Sequence, residues 1–193
     1  MNPFFAYINR LKLIQRWGLM RNAIPENDME HSMQCALIAH ALALLAKTRY
    51  QRDVDPQTAA TLALYHDAGE VMTGDLPTPV KYKNTQIKRA YKQIETMANQ
   101  QLFQMLPDDL KPAYSPYLLP DTDTYAWKLV KAADRICAYL KCVDEKKTGN
   151  LEFVQAQSTI KASIAQIDLP EVQDFMREFA PAYELSLDEL SKL

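Results

Sequence analysis

The chain has 193 residues, 48% hydrophobic and 24% charged, with a net charge of −2. That length suits one full-sized domain over 1–193, and the even spread of Lys and Arg argues against a nucleic-acid surface. Cys35, Cys137 and Cys142 lack CxxC spacing, the apolar run 35–46 is too short for a bilayer and is interrupted by His40, and the start lacks signal-peptide order. These features predict reduced core thiols in a cytoplasmic protein with no membrane partner.

Helical periodicity dominates, and no run of alternating β-branched residues lies between hairpin turns, so the chain reads as all-α. A first helix is expected over 3–16, from Phe4, Ile8, Leu11 and Ile14, closing at Arg16-Trp17-Gly18. Asn27 and Glu30 form a candidate capping box opening a second helix to about Thr48. Asp55-Pro56 opens a third, reaching about Met72. A fourth spans about 84–106. A connection rich in Pro107, Pro112, Pro116 and Pro120 leads to a fifth over about 124–147, closed by Gly149. Two more follow, over about 151–166 and 170–190. The break at 73–83 is the main irregular backbone near the centre of the chain.

Polar residues sit where the core should be. His31, Cys35, Ile38, Leu42 and Leu45 share one helical stripe, so His31 points inward, while His40 falls about 180° away and reads as packing or surface. The helix AATLALYHDAGEVM is apolar nearly all round yet carries His66 and Asp67, with Glu70 one turn on and Gly69 leaving room for a close approach. Asp134 repeats the anomaly among Trp127, Val130, Cys137 and Ala138, although Lys131 offers it a simple ion pair. Buried imidazoles and carboxylates cost several kcal/mol without a partner. A divalent cation would satisfy all four and leave two octahedral positions for water and substrate. Taken singly, each also has an ordinary hydrogen-bonded explanation, and spacing alone does not bring them together.

The order His31, His66-Asp67, Asp134, each on a helix, resembles the HD-domain metal-dependent phosphohydrolases. The blocks RLKLIQRWGLMR, NDMEHS, YHDAGEVMTGDLPTPVKY, ADRICAYLKC and LSLDEL narrow the resemblance to the bacterial 5′-deoxynucleotidases, over essentially the full length. The resemblance implies that His31, His66, Asp67 and Asp134 hold one divalent metal, with Mn or Co preferred and Mg allowed. It implies that Arg16 orients the phosphate, that Arg16 and Trp17 line the nucleotide pocket, and that Asp75, Leu76, Pro77 and Thr78 close over a deoxyribonucleoside 5′-monophosphate, in a homodimer. His31, Asp67 and Asp134 would face the substrate as well as the metal. Gly69 stands where that family's HDASE form has Ser, so a hydroxyl contact is expected to be missing.

From these residues a mechanism is expected in which Asp67 orients the attacking water, Arg16 grips the phosphate, and Glu70 or Asp75 protonates the leaving oxygen. Trp17 or the proline-stiffened 75–78 loop would form the wall against a ribose 2′-hydroxyl. Two other readings remain at this stage: the same chemistry on a cyclic nucleotide, guanosine polyphosphate or nucleoside triphosphate, and a non-catalytic nucleotide-binding protein. Only His40 is spare for a second metal, which argues against a binuclear site.

Overall fold

The computed structural model describes residues 1–81 and 83–193. Among these, helices carry the fold and the only ladder contact is an isolated antiparallel bridge between Gln15 and Asn27. The scaffold consists of α2 (Asp28–Tyr50), α3 (Pro56–Tyr65) and α8 (Tyr125–Lys147). Their apolar stripes share one core, which includes Cys35, Leu42, Leu62, Leu129, Ile136, Cys137 and Leu140. A smaller core joins Phe4 to Ala68, Leu102, Leu106 and Leu118. Ala68 follows Asp67 directly, so His66-Asp67 lies where the two cores meet. Among the described residues, no helix is long and apolar enough to cross a membrane.

The helix starts follow their capping chemistry. The Asn27 side chain accepts from the Met29 and Glu30 amides, and Glu30 returns a bond to the Asn27 amide. Asp55 accepts from the Gln57 and Thr58 amides, with Pro56 at the first helical position. Gly149, at φ 86°, supplies the left-handed residue just beyond α8.

Several expected elements break where a local bond competes with the helical ladder. The first helix is only α1 (Phe4–Ile8) followed by a 3-10 turn, Asn9–Leu13. Ile14 is extended because 14–16 pairs with the chain entering α2: Arg16 N–H donates to Glu26 O at 3.0 Å and Asp28 N–H to Ile14 O at 3.1 Å. The third helix stops at Tyr65 and not Met72. His66 Nδ1 takes the Ala63 carbonyl at 2.7 Å, the acceptor that helix continuation would give to the Asp67 amide. A turn over 66–69 then leads to α4 (Glu70–Thr73). Gly74 follows at φ 71°, ψ 165°, a conformation open essentially to glycine alone, and redirects the chain toward Asp75.

The expected break at 73–83 contains a short α5 (Thr78–Lys81), and α6 (Thr85–Gln104) opens on Asn84. The proline-rich connection holds α7 (Lys111–Leu118), because Pro112 falls in its first turn, where the missing N–H costs little. The expected 151–166 helix begins as a 3-10 turn before α9 (Val154–Ala165). The expected 170–190 helix divides into α10 (Pro170–Glu178), a 3-10 turn over Ala180–Glu184 containing Pro181, and α11 (Leu187–Leu190).

The irregular segment before α2 is tied to α8 by Glu145, which is fully buried. Its carboxylate accepts from the Ala23 amide at 2.8 Å, the Ile24 amide at 3.0 Å and Asn150 Nδ2 at 2.7 Å, and it pairs with the buried Lys141. Burial disfavours the charge, but Lys141 and these donors outweigh it and hold the carboxyl at about 2, below its ordinary 4.5. Glu145→Ala is therefore expected to cost about 3 kcal/mol at pH 7 by leaving Lys141 unpaired. Because the folded-state value is depressed, that contribution is present in full above the ordinary value and is lost as pH falls toward 2. Urea melts of both proteins should show a stability gap that narrows below about pH 5.

Candidate active site

Three helices and one loop deliver the polar cluster. His31 comes from the first turn of α2, His66 and Asp67 from the turn after α3, and Asp134 from the middle of α8. Arg16 arrives on the extended segment pinned to Glu26. His31 Nε2 lies 3.3 Å from Asp134 Oδ1 and 3.7 Å from Asp67 Oδ2, while His66 Nε2 lies 2.9 Å from that same Asp67 oxygen. Adjacent residues on a regular helix diverge by about 100°, whereas His66 and Asp67 come together in the turn over 66–69 that follows the end of α3 at Tyr65. His40 is half-buried and stands outside this cluster.

The donor set suits a cation. His66 Nδ1 faces a carbonyl, which only accepts, so Nδ1 carries a proton and Nε2 is the nitrogen turned to the cluster. Nε2 lies 2.9 Å from the Asp67 carboxylate yet is buried with no hydrogen-bond partner, so its in-plane direction is aimed past that oxygen. Two ligand atoms side by side and not bonded to each other are placed to share one cation. Ligand atoms of His31, His66, Asp134 and Cys35 all lie within 4.8 Å of one another, and Asp67 Oδ2 closes against both histidines.

Both explanations of Asp134 hold at once: Oδ1 faces His31 while Oδ2 is 3.3 Å from Lys131 Nζ. Its side chain is 30% exposed, so it reaches solvent and is not a core carboxylate. Burial opposes ionisation of Asp67 and Asp134. His66 and Lys131 outweigh it at Asp67, as do Lys131 and His31 at Asp134, holding both carboxyls below the usual range.

Arg16 faces Asp67 Oδ2 at 3.6 Å, Asp28 Oδ1 at 3.7 Å and Glu26 Oε2 at 3.6 Å. Burial works against its charge, yet Asp67, Asp134, Glu26 and Asp75 raise its pKa above the ordinary value. Trp17 sits beside it at φ 60°, a left-handed conformation unusual for a bulky residue. Its indole Nε1 donates to Glu26 Oε2 at 3.0 Å, and its ring packs on Phe153 at 5.3 Å.

Sequence reasoning missed Glu26 and Asp28, which look like an ordinary loop acid and an ordinary helix-start acid. Glu26 Oε1 lies 3.7 Å from His31 Nδ1, so one carboxylate organises Arg16, Trp17 and His31. Asp28 is fully buried, and Glu70 is 6% exposed. Burial first, then neighbouring carboxylates, push Glu70 and Asp28 above the usual range, Glu70 further than Asp28; burial also raises Asp75. Asp75, Leu76 and Pro77 are half-buried, and Thr78 is exposed at the start of α5. The close approach expected at Gly69 is made by α6: a Cβ there would meet Asn99 Oδ1 at 2.7 Å.

The helical arrangement and this His, His-Asp, Asp constellation define an HD-domain fold. An HD-domain phosphohydrolase from Listeria innocua has the same fold, with a TM-score of 0.80 at 23% identity over 98% of this chain and 95% of that one. So does the cyanophage S-2L HD phosphohydrolase bound to dA and one catalytic Zn2+ ion, with a TM-score of 0.64 at 21% identity over 93% and 95%.

Within that class, residues 3–183 match the 5′-deoxynucleotidase YfbR-like family, and the chain belongs to it. A 5′-deoxynucleotidase from Cronobacter sakazakii is 51% identical over 190 residues, 98% of this chain and 96% of the relative. One from Vibrio parahaemolyticus is 48% identical over 189 residues, 97% of each.

Proposed function

We propose that the chain is a metal-dependent 5′-deoxynucleotidase that hydrolyses deoxyribonucleoside 5′-monophosphates to deoxynucleosides and phosphate. The observation that carries the reading is the unpartnered His66 Nε2 facing Asp67 beside His31, Asp134 and a charged Arg16. Family membership and the deoxynucleotidase relatives supply the substrate class.

His31, His66, Asp67 and Asp134 would hold one divalent ion of the Mn, Co or Zn type, with Mg tolerated. Such an ion supplies positive charge for the phosphoryl oxygens and acidifies water toward neutral pH. Arg16, charged at every working pH, binds phosphate oxygens on the cleft side of Asp67. Asp67, held ionised, orients the water for in-line attack and accepts its proton. Glu70, held protonated by burial, gives a proton to the leaving 5′-oxygen, while Asp75 lines the approach. Glu26 Oε1, 3.7 Å from His31 Nδ1, favours the ring proton on that nitrogen and so leaves Nε2 for the ion.

Trp17 and the 75–78 segment form the walls of the nucleotide pocket. The left-handed backbone at Trp17 costs on the order of 1–3 kcal/mol and is fixed by the Glu26 bond and the Phe153 contact. A ring held that firmly suits steric exclusion of a 2′-hydroxyl. The homodimer reading is supported by an exposed apolar row on the outer face of α2, formed by Met33, Leu37 and Leu44. Three free, buried cysteines suit a reducing cytoplasm.

Phosphate release from a panel of deoxynucleoside and ribonucleoside monophosphates, cyclic nucleotides and deoxynucleoside triphosphates tests the substrate class. Release confined to deoxynucleoside monophosphates is expected, and Trp17→Ala should raise AMP turnover relative to dAMP by about tenfold or more. Preferential release from triphosphates or cyclic nucleotides would overturn the substrate assignment. An unchanged AMP to dAMP ratio would dismiss Trp17 as the selector.

A further inference from the structure

Beneath the histidines lies a pair of thiols that the proposed mechanism does not use. Cys35 is one turn below His31 on α2, and Cys137 is one turn below Asp134 on α8; both are fully buried. Each helix thus contributes one candidate ligand and one thiol beneath it. Cys35 Sγ lies 3.5 Å from His31 Nε2 and 3.4 Å from Cys137 Sγ. The ligand atoms of His31, Cys35, His66 and Asp134 lie within 4.8 Å of one another, and His66 Nε2 points into this group without a hydrogen-bond partner.

We propose that Cys35 is an additional metal ligand, binding as a thiolate and biasing the site toward zinc and other thiophilic ions over Mn and Mg. This rests on the metal-site reading above. Typical metal–nitrogen and metal–sulfur bonds of about 2.1 and 2.3 Å, at the angles of about 90–120° in a five-donor shell, separate the two donor atoms by about 3.1–3.8 Å. The His31–Cys35 spacing of 3.5 Å therefore needs almost no rearrangement to become one edge of a coordination shell. With no ion bound, the Cys35 S–H donates to Cys137 Sγ while its sulfur stays 3.5 Å from His31 Nε2. On binding, a sulfur–metal bond replaces the S–H bond and the proton leaves to solvent.

Cys137 supports the charge that results. In the thiol form Cys35 donates to Cys137. Once Cys35 is ionised, the Cys137 S–H becomes the donor, a supporting contact of the kind that orients metal ligands. Thiolate sulfur is a soft donor, whereas imidazole and carboxylate alone discriminate less against harder ions.

Cobalt(II) loaded into the reduced, full-length protein gives a direct readout. The wild-type protein should show a near-ultraviolet sulfur-to-cobalt charge-transfer band together with visible d–d bands. Cys35→Val, which conserves apolar volume, should keep the d–d bands and lose the charge-transfer band. Cys137→Ala should keep both. In competition titrations, Cys35→Val should weaken zinc binding by about tenfold or more and change Mn binding far less.

Bound cobalt without a charge-transfer band in the wild-type protein, or equal zinc affinity in wild type and Cys35→Val, would overturn the thiolate ligand and leave the four-residue site standing. Absence of any cobalt d–d band would overturn both readings.

Discussion

Asp67→Asn is expected to reduce phosphate release from dAMP by about three orders of magnitude or more, equivalent to about 4 kcal/mol of barrier. The substitution keeps the side-chain volume and the turn backbone, so circular dichroism should be unchanged. What it removes is the carboxylate that meets His66 at 2.9 Å, Arg16 at 3.6 Å and His31 at 3.7 Å. Three functions rest on that group: a ligand to the ion, the acceptor for the proton of the attacking water, and the anion that positions Arg16. The amide weakens all three, so saturating metal should restore only part of the loss. Steady-state assays at rising Mn or Co concentrations check this. Near-wild-type turnover at saturating metal would reduce Asp67 to a ligand and remove it from the proton transfer.

Local rules of the sequence located the helices that carry the site. The Asn27–Glu30 capping box and the Asp55-Pro56 start stand as expected, and the helical stripe correctly aimed His31 inward. The same period placed Asp134 beside its apolar neighbours but missed its partial exposure, because a solvent edge and a core look alike in one helix's sequence. The break at His66 was not legible. It depends on a side-chain nitrogen taking a backbone carbonyl, and AATLALYHDAGEVM otherwise has an unbroken helical pattern.

Convergence of Arg16 on Asp67 was likewise invisible to periodicity, since it depends on the extended segment 14–16 pairing with the entry to α2. Family resemblance named Arg16, but the pairing supplies the physical reason. Glu26 and Asp28 escaped notice for a related reason. Acids before and at the start of a helix are common for capping and dipole reasons, and only the tertiary structure turns them toward His31, Trp17, Arg16 and Glu70. The close approach that Gly69 permits is legible in the sequence, but not that the neighbour making it is Asn99 on α6.

Removing the metal should have the other large effect. A buried imidazole nitrogen beside a carboxylate, with no hydrogen bond between them, is a site arranged around a cation, and without one the reaction lacks its principal source of positive charge. The most direct test strips wild-type protein with a chelator and titrates Mn or Co back while following phosphate release from dAMP. Activity should begin at background and rise linearly to a plateau at about one ion per chain, as expected for one mononuclear site. Full activity in the metal-free protein, or a plateau reached only at two ions per chain, would contradict a single-metal phosphohydrolase.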